Sequence, residues 1–254
     1  MTEPLISVIM PAYNADRFIA EAICSVRAQT YENWELLVLD DGSGDTTCQV
    51  VQTLCREDPR IRLIQNEKNM GVARTRNRGF DLCKGSLVAL LDADDIWHPE
   101  KLEKQLALLE QSGADFAYSA YAIVDASGKK VKADYSVPGE VSFCQLLKEN
   151  VIGCSAVLLR AELLEKYRFL TDFFHEDYVL WLQLLRDGYR AVGCTEVLLD
   201  WRFAENSRSF NKKKAAKNRW KIYREYLQLP LHRSLWVFGN YMIRSLRKYC
   251  SKAE

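Results

Sequence analysis

Ser86-Leu87-Val88-Ala89-Leu90-Leu91-Asp92-Ala93-Asp94-Asp95 is an apolar run that stops in a cluster of acids. A short continuous run of this kind suits a buried strand, and the acids suit a loop at its carboxyl end. The same arrangement occurs twice upstream. Leu5-Ile6-Ser7-Val8-Ile9-Met10 runs into Pro11-Ala12-Tyr13-Asn14, and Leu36-Leu37-Val38-Leu39 runs into Asp40-Asp41-Gly42-Ser43. Helical patterns separate the runs, one with Phe18, Ile19, Ala22, Ile23 and Val26 on a face, the next with Val50, Val51 and Leu54. Ile61 to Ile64 reads as a shorter strand and residues 72–83 as a helix. Pro99 sits at the first turn of a helix whose stripe is Leu102, Leu106 and Leu109. Strands alternating with helices of this length predict βαβ units, a mostly parallel sheet and an α/β fold.

The second half is less regular. Phe116–Val124 and Val131–Tyr135 are expected as strands around the Asp125-Ala126-Ser127-Gly128 turn. Ser142-Phe143-Cys144-Gln145 has the form of a capping box. Ala156–Leu159 and Ala191–Asp200 are expected as strands, Asp177–Arg186 as a helix, and the chain from Asn211 onward as helical and basic.

The 254 residues, 48% hydrophobic and 27% charged, favour one large α/β domain with an appendage and exclude wholesale disorder. No apolar run is long enough to span a membrane. Met1-Thr2-Glu3-Pro4 lacks a basic segment leading into an apolar one, so no export signal and a cytoplasmic location are expected. The eight cysteines show no CxxC spacing and are expected as reduced thiols; the three histidines are too scattered for a zinc site. The net charge of +1 hides an asymmetry: residues 1–210 carry 23 Lys+Arg against 32 Asp+Glu, residues 211–254 carry 12 against 2. A basic tail on an acidic body suits an anionic surface, or serves only as a solvated helical face.

In a parallel sheet the three polar clusters meet at one edge, where open α/β sheets bind ligands. Asp92-x-Asp94 suits a hard divalent cation that bridges to phosphate oxygens; alone it reads equally as helix caps before Pro99. Asp40-Asp41-Gly42-Ser43 has a parallel reading as a tight turn, and Asn69-Met70-Gly71 with Arg76-Asn77-Arg78-Gly79 as a solvated basic helix start. Glu176 and Asp177, after His175, either complement a helix dipole or include a carboxylate that accepts a proton from an attacking hydroxyl.

These four motifs, Ser7–Asn14, Asp40–Ser43, Asn69–Gly71 with Arg76–Gly79, and Asp92–Asp95, occur in the order found in the family 2 glycosyltransferases, and the chain resembles that family's bacterial polysaccharide and lipopolysaccharide type. The resemblance is specific over residues 5–110 and looser from 111 to about 210. It implies a GT-A fold: a single mostly parallel mixed sheet flanked by helices, with a nucleotide-binding half over 1–110, an acceptor half over 111–210 and a basic helical extension over 211–254. It further implies an inverting, metal-dependent transfer of one sugar from a UDP-linked donor to a glycan or lipid-linked acceptor, an α-linked donor giving a β-linkage. By family pattern Pro11, Ala12 and Tyr13 line the nucleotide pocket, Asp41 bonds the base, Arg76 and Ala93 help hold the nucleotide, and Asp92 lies near ribose and metal. Asp94 is the direct ligand of Mn2+ or Mg2+, Asp95 supports the loop, Asp177 is the general base and Glu176 its alternate or an acceptor partner. Trp201-Arg202-Phe203 with Ser207 and Ser209 resembles a family segment in which Ala204 here replaces a common His; Arg202 is expected at the diphosphate.

The QxxRW signature of processive members is missing, so single transfer is expected. Competing readings are a nucleotide-sugar-binding protein without activity and a sugar nucleotidyltransferase, whose Gly-rich basic loop is absent near the N-terminus. No GxGxxG follows the first strand, which disfavours an oxidoreductase. In the tail, Leu235, Trp236, Phe238, Met242, Ile243 and Leu246 mix with Arg244, Arg247 and Lys248. That composition suits a helix on the cytoplasmic face of the inner membrane, or one that packs on the body or makes a homodimer. Aromatic stacking motifs for nucleic acid are not evident.

Overall fold

A computed structural model describes residues 3–203 and 212–250. Ala204, Ser207 and Ser209 lie outside the described residues, as do 251–254.

The apolar runs become strands β1 (Ile6–Ala12), β2 (Trp34–Asp40), β3 (Ile61–Gln65) and β4 (Leu87–Leu90), and the intervening patterns become helices α1 (Ile19–Arg27), α2 (Thr47–Glu57) and α3 (Val72–Leu82). These four strands pair in parallel in the order β3-β2-β1-β4. Every residue of β2 and β4 is buried, as continuous apolar runs in a sheet covered on both faces require. Alternation sends Ile9, Leu37 and Leu39 to one core and Val8, Met10, Leu36 and Val38 to the other. The strand order reverses between β1 and β4. Chain leaving β1 and β4 therefore parts in opposite directions and opens a crevice beyond their carboxyl ends.

α3 lies close on the sheet because Gly79 has no side chain. A Cβ there would stand 2.6 Å from Ile9 Cγ2 and 3.0 Å from Leu39 Cδ1. Gly79→Ala is expected to lower stability by about 1–3 kcal/mol through overpacking, measurable as a lower denaturant midpoint at constant slope. A midpoint equal to wild type would show that helix and sheet part freely.

The second half adds β5 (Ile96–Trp97), α4 (Lys101–Ser112), β6 (Phe116–Val124), β7 (Lys130–Tyr135), α5 (Phe143–Lys148), β8 (Leu158–Arg160), α6 (Leu163–Lys166), α7 (Glu176–Arg186) and β9 (Ala191–Arg202). Among the described residues one sheet runs β3-β2-β1-β4-β8-β6-β9-β5, with β7 on β6. Its parallel part is less dominant than the sequence suggests. β4·β8, β6·β8, β6·β7 and β5·β9 are antiparallel, and only β6·β9 is parallel in this half. The β6–β7 turn is made by Asp125, whose carboxylate accepts from the Ser127 and Lys129 amides, and by Gly128 at φ 81°. Ser142 and Gln145 form the expected capping box. The expected strand at 156–159 starts later, because Cys154–Ala156 forms a 3-10 turn.

After the gap come α8 (Lys212–Lys221), a π-turn (Ile222–Tyr226) and α9 (Leu231–Cys250). Ile222 and Tyr223 are fully buried in the core that holds α7, and the Tyr223 hydroxyl donates to the Leu147 carbonyl at 2.5 Å. The Asn218 side-chain oxygen accepts from the Phe174 amide at 2.9 Å. The first part of the basic extension is thus seated on the body. α9 buries Ser234 and Val237 on one side and exposes Leu231, Leu235, Trp236, Met242 and Ile243 on another. Among the described residues no helix is long and apolar enough to cross a membrane. Cys24, Cys48, Cys55, Cys83, Cys144, Cys154 and Cys194 are free thiols.

Candidate active site

The loops after β1 and β2 are tied to one another. The Asn14 amide donates to Ser43 Oγ at 2.9 Å, and Gly44 N donates to Asn14 Oδ1 at 2.9 Å. Asn14 adopts φ 49°, a left-handed conformation that Asn tolerates better than most residues. Gly42 (φ 76°) lets the β2 loop approach the backbone of Lys68 and Asn69, where a Cβ would stand 3.0 Å from Asn69 N. Asp41 organises the next loop. Its carboxylate accepts from Asn66 Nδ2, Met70 N and Gly71 N, each at 2.8 Å. Those contacts fix the start of α3 and take up three of the about four acceptor sites of an ionised carboxylate.

These loops enclose a cleft of about 660 Å³. Pro11, Ala12, Tyr13 and Asp41 line one part, and Arg76, Asp92, Ala93, Asp94 and Glu176 another. Tyr13 is 53% exposed, a ring standing free at the mouth. The topology thus gathers every expected nucleotide-site residue except one. Arg202 is the exception. Its guanidinium is buried behind the acidic loop, where it donates to the carbonyls of Asp94 (2.9 Å) and Ala126 (3.0 Å) and to Glu21 (2.7 Å). With those donors engaged, Arg202 positions the loop; it does not line the cleft. Asp95 works from the same side, accepting from Ser155 Oγ at 2.5 Å and from the Arg202 amide at 3.0 Å.

Arg76 makes the wall of the cleft. Only 4% exposed, it donates to Asp92 Oδ1 (2.5 Å) and Glu176 Oε1 (2.8 Å). A second cavity of about 300 Å³ lies next to the cleft, and Asp92 lines both. The adjacent acids at the start of α7 divide between the two spaces: Glu176 faces the cleft and Arg76, whereas Asp177 lines the second cavity. Glu176, expected as the alternate base, is engaged in an ion pair with Arg76. Burial raises the Asp177 carboxyl above the ordinary carboxylate range, against the opposing pull of Arg76. A raised carboxylate is a stronger proton acceptor.

Asp94 is pushed up to about 6, by burial first and by neighbouring Asp92 second. A carboxylate whose ionisation is opposed by burial and by a neighbouring acid fits a divalent cation, which relieves both effects. Among the described residues no three His, Cys, Asp or Glu side chains converge as a protein-only cage. That suits Mg2+ or Mn2+ held by one or two carboxylates, with the remaining places left to water and substrate phosphate. The Asp92–Arg76 and Glu176–Arg76 pairs, the division of Glu176 from Asp177 and the loop role of Arg202 carry no sequence periodicity; they follow from the crossing of α3, β4 and α7.

The model of the family described as "Glycosyl transferase family 2" matches residues 7–168. The chain is 34% identical over 246 residues to the putative teichuronic acid biosynthesis glycosyltransferase TuaG of Bacillus subtilis, covering 97% of this chain and 98% of that one. It is 37% identical over 251 residues to the Escherichia coli UDP-Glc:α-D-GlcNAc-diphosphoundecaprenol β-1,3-glucosyltransferase WfgD, covering 98% and 96%. The fold matches Staphylococcus aureus TarS 1–349 in complex with UDP at a TM-score of 0.72, with 20% identity over 93% of this chain and 70% of that one. It also matches the Pyrobaculum calidifontis mannosyltransferase PcManGT in complex with GDP-Man and Mn2+ at 0.71, with 18% identity over 100% and 77%. The sheet flanked by helices is thus the GT-A fold, and the chain belongs to glycosyl transferase family 2.

Proposed function

We propose that this protein transfers a single sugar, with inversion, from a UDP-linked donor to a lipid-linked saccharide or glycan of a cell-surface polysaccharide. The carrying observation is the placement of Asp177: it lines a second cavity that meets the nucleotide cleft at Asp92, and it does not line the cleft itself. Displacement from the face opposite the leaving group needs the base on one side of the sugar and the leaving diphosphate on the other. The likeness to WfgD, a UDP-Glc β-1,3-glucosyltransferase, supports the UDP donor and the β product.

In this reading Tyr13 and Pro11 take the nucleobase and ribose, with Asp41 reaching the base, and Arg76 keeps Asp92 and Glu176 in place at the phosphate end. Asp94 and Asp92 would hold a divalent cation, which when bound neutralises charge on the departing diphosphate. Asp177 takes the acceptor hydroxyl proton. A protonated carboxyl cannot accept one, so kcat is expected to fall as pH drops through the raised Asp177 pKa. The acid limb should inflect above the ordinary carboxylate range of about 4, measured as a kcat–pH profile. An inflection at or below 4 would count against Asp177. A panel of UDP-sugars screened for manganese-dependent UDP release tests the whole reading: release from one sugar above the others supports it, and none from any sugar removes it.

The exposed apolar side of α9 supports a second part of the proposal, docking on the anionic inner-leaflet surface where such acceptors lie. Leu235 and Trp236 are each 57% exposed, with Lys148 4.7 Å above the Trp236 ring and Arg233 and Arg244 on the same helix. Leu235→Glu with Trp236→Glu is expected to leave the protein unbound in flotation with phosphatidylglycerol-containing vesicles. Equal flotation of wild type and variant would remove the membrane reading, and a concentration-dependent dimer would put a second copy in its place.

A further inference from the structure

Asp177 stands at the end of an irregular stretch of chain. Residues 167–175 form neither helix nor strand and lead straight into Glu176 and Asp177 in the first turn of α7. Backbone of this kind keeps its course only where other elements hold it. Two asparagines do so. At the near end, Asn77 of α3 bonds Phe169 twice: Phe169 N donates to its Oδ1 and its Nδ2 donates to the Phe169 carbonyl, both at 2.9 Å. At the far end the holder comes from the C-terminal extension. Asn218 of α8, itself buried, accepts from the Phe174 amide through Oδ1 at 2.9 Å.

The rest of α8 follows the same line. Positions 214, 218 and 221 recur at helical spacing and share one face. Along it Lys214 Nζ lies 4.6 Å from the Phe174 ring centroid. Lys221 Nζ donates to the Asp172 carbonyl at 3.2 Å and stands 5.2 Å from the Phe173 ring centroid. Next to Asn218, Arg219 places Cζ 3.5 Å from the ring centroid of Tyr178, the residue after Asp177. The helix therefore grips the chain on both sides of the two acids, and Ala215 and Arg219 line the cavity that Asp177 lines.

We propose that Asn218 is a positioning residue for sugar transfer, holding the Phe174 amide so that the Asp177 carboxylate stands where the acceptor hydroxyl needs it. The inference rests on the reading of Asp177 as the base, and it makes the C-terminal extension part of the site as well as a docking element. A reacting group misplaced by about 1 Å can lose about two orders of magnitude in rate.

The test is a double-mutant cycle on the full-length protein. It is read as manganese-dependent UDP release from the most active donor of the panel above, with water in place of the acceptor. Asn218→Leu keeps roughly the size and removes the acceptor oxygen. It should lower kcat by about 10- to 100-fold and leave UDP affinity within about threefold. Asn218→Asp keeps an oxygen at the same place and should recover most of the rate. In an Asp177→Asn background, Asn218→Leu should change the residual rate by less than about twofold, because no base is left to misplace. Equal factors in the two backgrounds would mean general loosening and overturn the proposal. So would a loss of UDP affinity matching the loss of rate, which would assign Asn218 to the cleft that Thr171 and Phe173 border. Hydrogen exchange of wild type by NMR needs no variant to fold: the Phe174 amide should exchange at least about tenfold more slowly than a free amide, and exchange at the free rate overturns the proposal. If Asp177→Asn releases UDP at the wild-type rate, the base reading falls first and the positioning role with it. If Asp177→Asn is impaired and Asn218→Leu is not, the positioning role alone falls.

Discussion

Replacing Asp177 with Asn should lower sugar transfer by about 10²–10⁴-fold, the usual contribution of a positioned general base, while UDP affinity in manganese stays within about twofold of wild type. The two readouts are expected to separate because Asp177 lines the second cavity and not the nucleotide cleft. Asn preserves size and removes only the proton-accepting charge. Glu176 next to it cannot substitute, since its Oε1 is held by Arg76 at 2.8 Å and its side chain is 6% exposed. Turnover by single-round kinetics and binding by calorimetry check both halves. Loss of transfer and nucleotide binding together would mean that Asp177 supports the cleft. Retained transfer would send the base role elsewhere.

Arg76→Leu is expected to be the most damaging single change to stability. The guanidinium, 4% exposed, neutralises Asp92 and Glu176 at once, and its removal leaves an uncompensated carboxylate buried at Glu176. Breaking a buried pair in this way costs about 3–5 kcal/mol. Asp92 is 34% exposed and is partly screened, so the lower end applies. At about 2–4 °C per kcal/mol for a chain of this size, Tm should drop by roughly 10 °C in calorimetry. Arg76→Lys should recover only part, because one ammonium cannot serve two carboxylates in fixed fork geometry. Adding Glu176→Gln to Arg76→Leu should also recover part by removing the stranded charge. A lysine variant as stable as wild type would show that the double pairing contributes nothing.

The parallel block was legible because β2 and β4 are buried on both faces and therefore read as continuous apolar runs, as in Leu36–Leu39 and Leu87–Leu91. The cleft followed, since parallel strands put the polar clusters after β1, β2 and β4 at one edge. Legibility fails where a residue's role depends on a partner far along the chain. Arg202 sits in a segment that looks like a diphosphate contact, yet it meets the Asp94 carbonyl and Glu21. Two adjacent acids, Glu176 and Asp177, look alike in sequence, and the step of about 100° between neighbouring helix positions turns them toward different cavities. β5 has two residues, too few for any period, and is a strand only because Ile96 and Trp97 pair with Asp200 and Leu199. Arg219 reads as one more charge in a basic tail. Its burial depends on Tyr178 and Tyr241 arriving from α7 and α9.

The central claim is that the nucleotide lies in the larger cleft and the base in the cavity that meets it at Asp92. A crystal structure of the protein with UDP and manganese tests it most directly. The nucleotide should lie in the larger cleft, its base beside Tyr13 and Asp41 and its phosphates toward Asp92 and Asp94, with the space around Asp177 and Arg219 left open for a second molecule. UDP seated beside Asp177 and Arg219 instead would contradict the account.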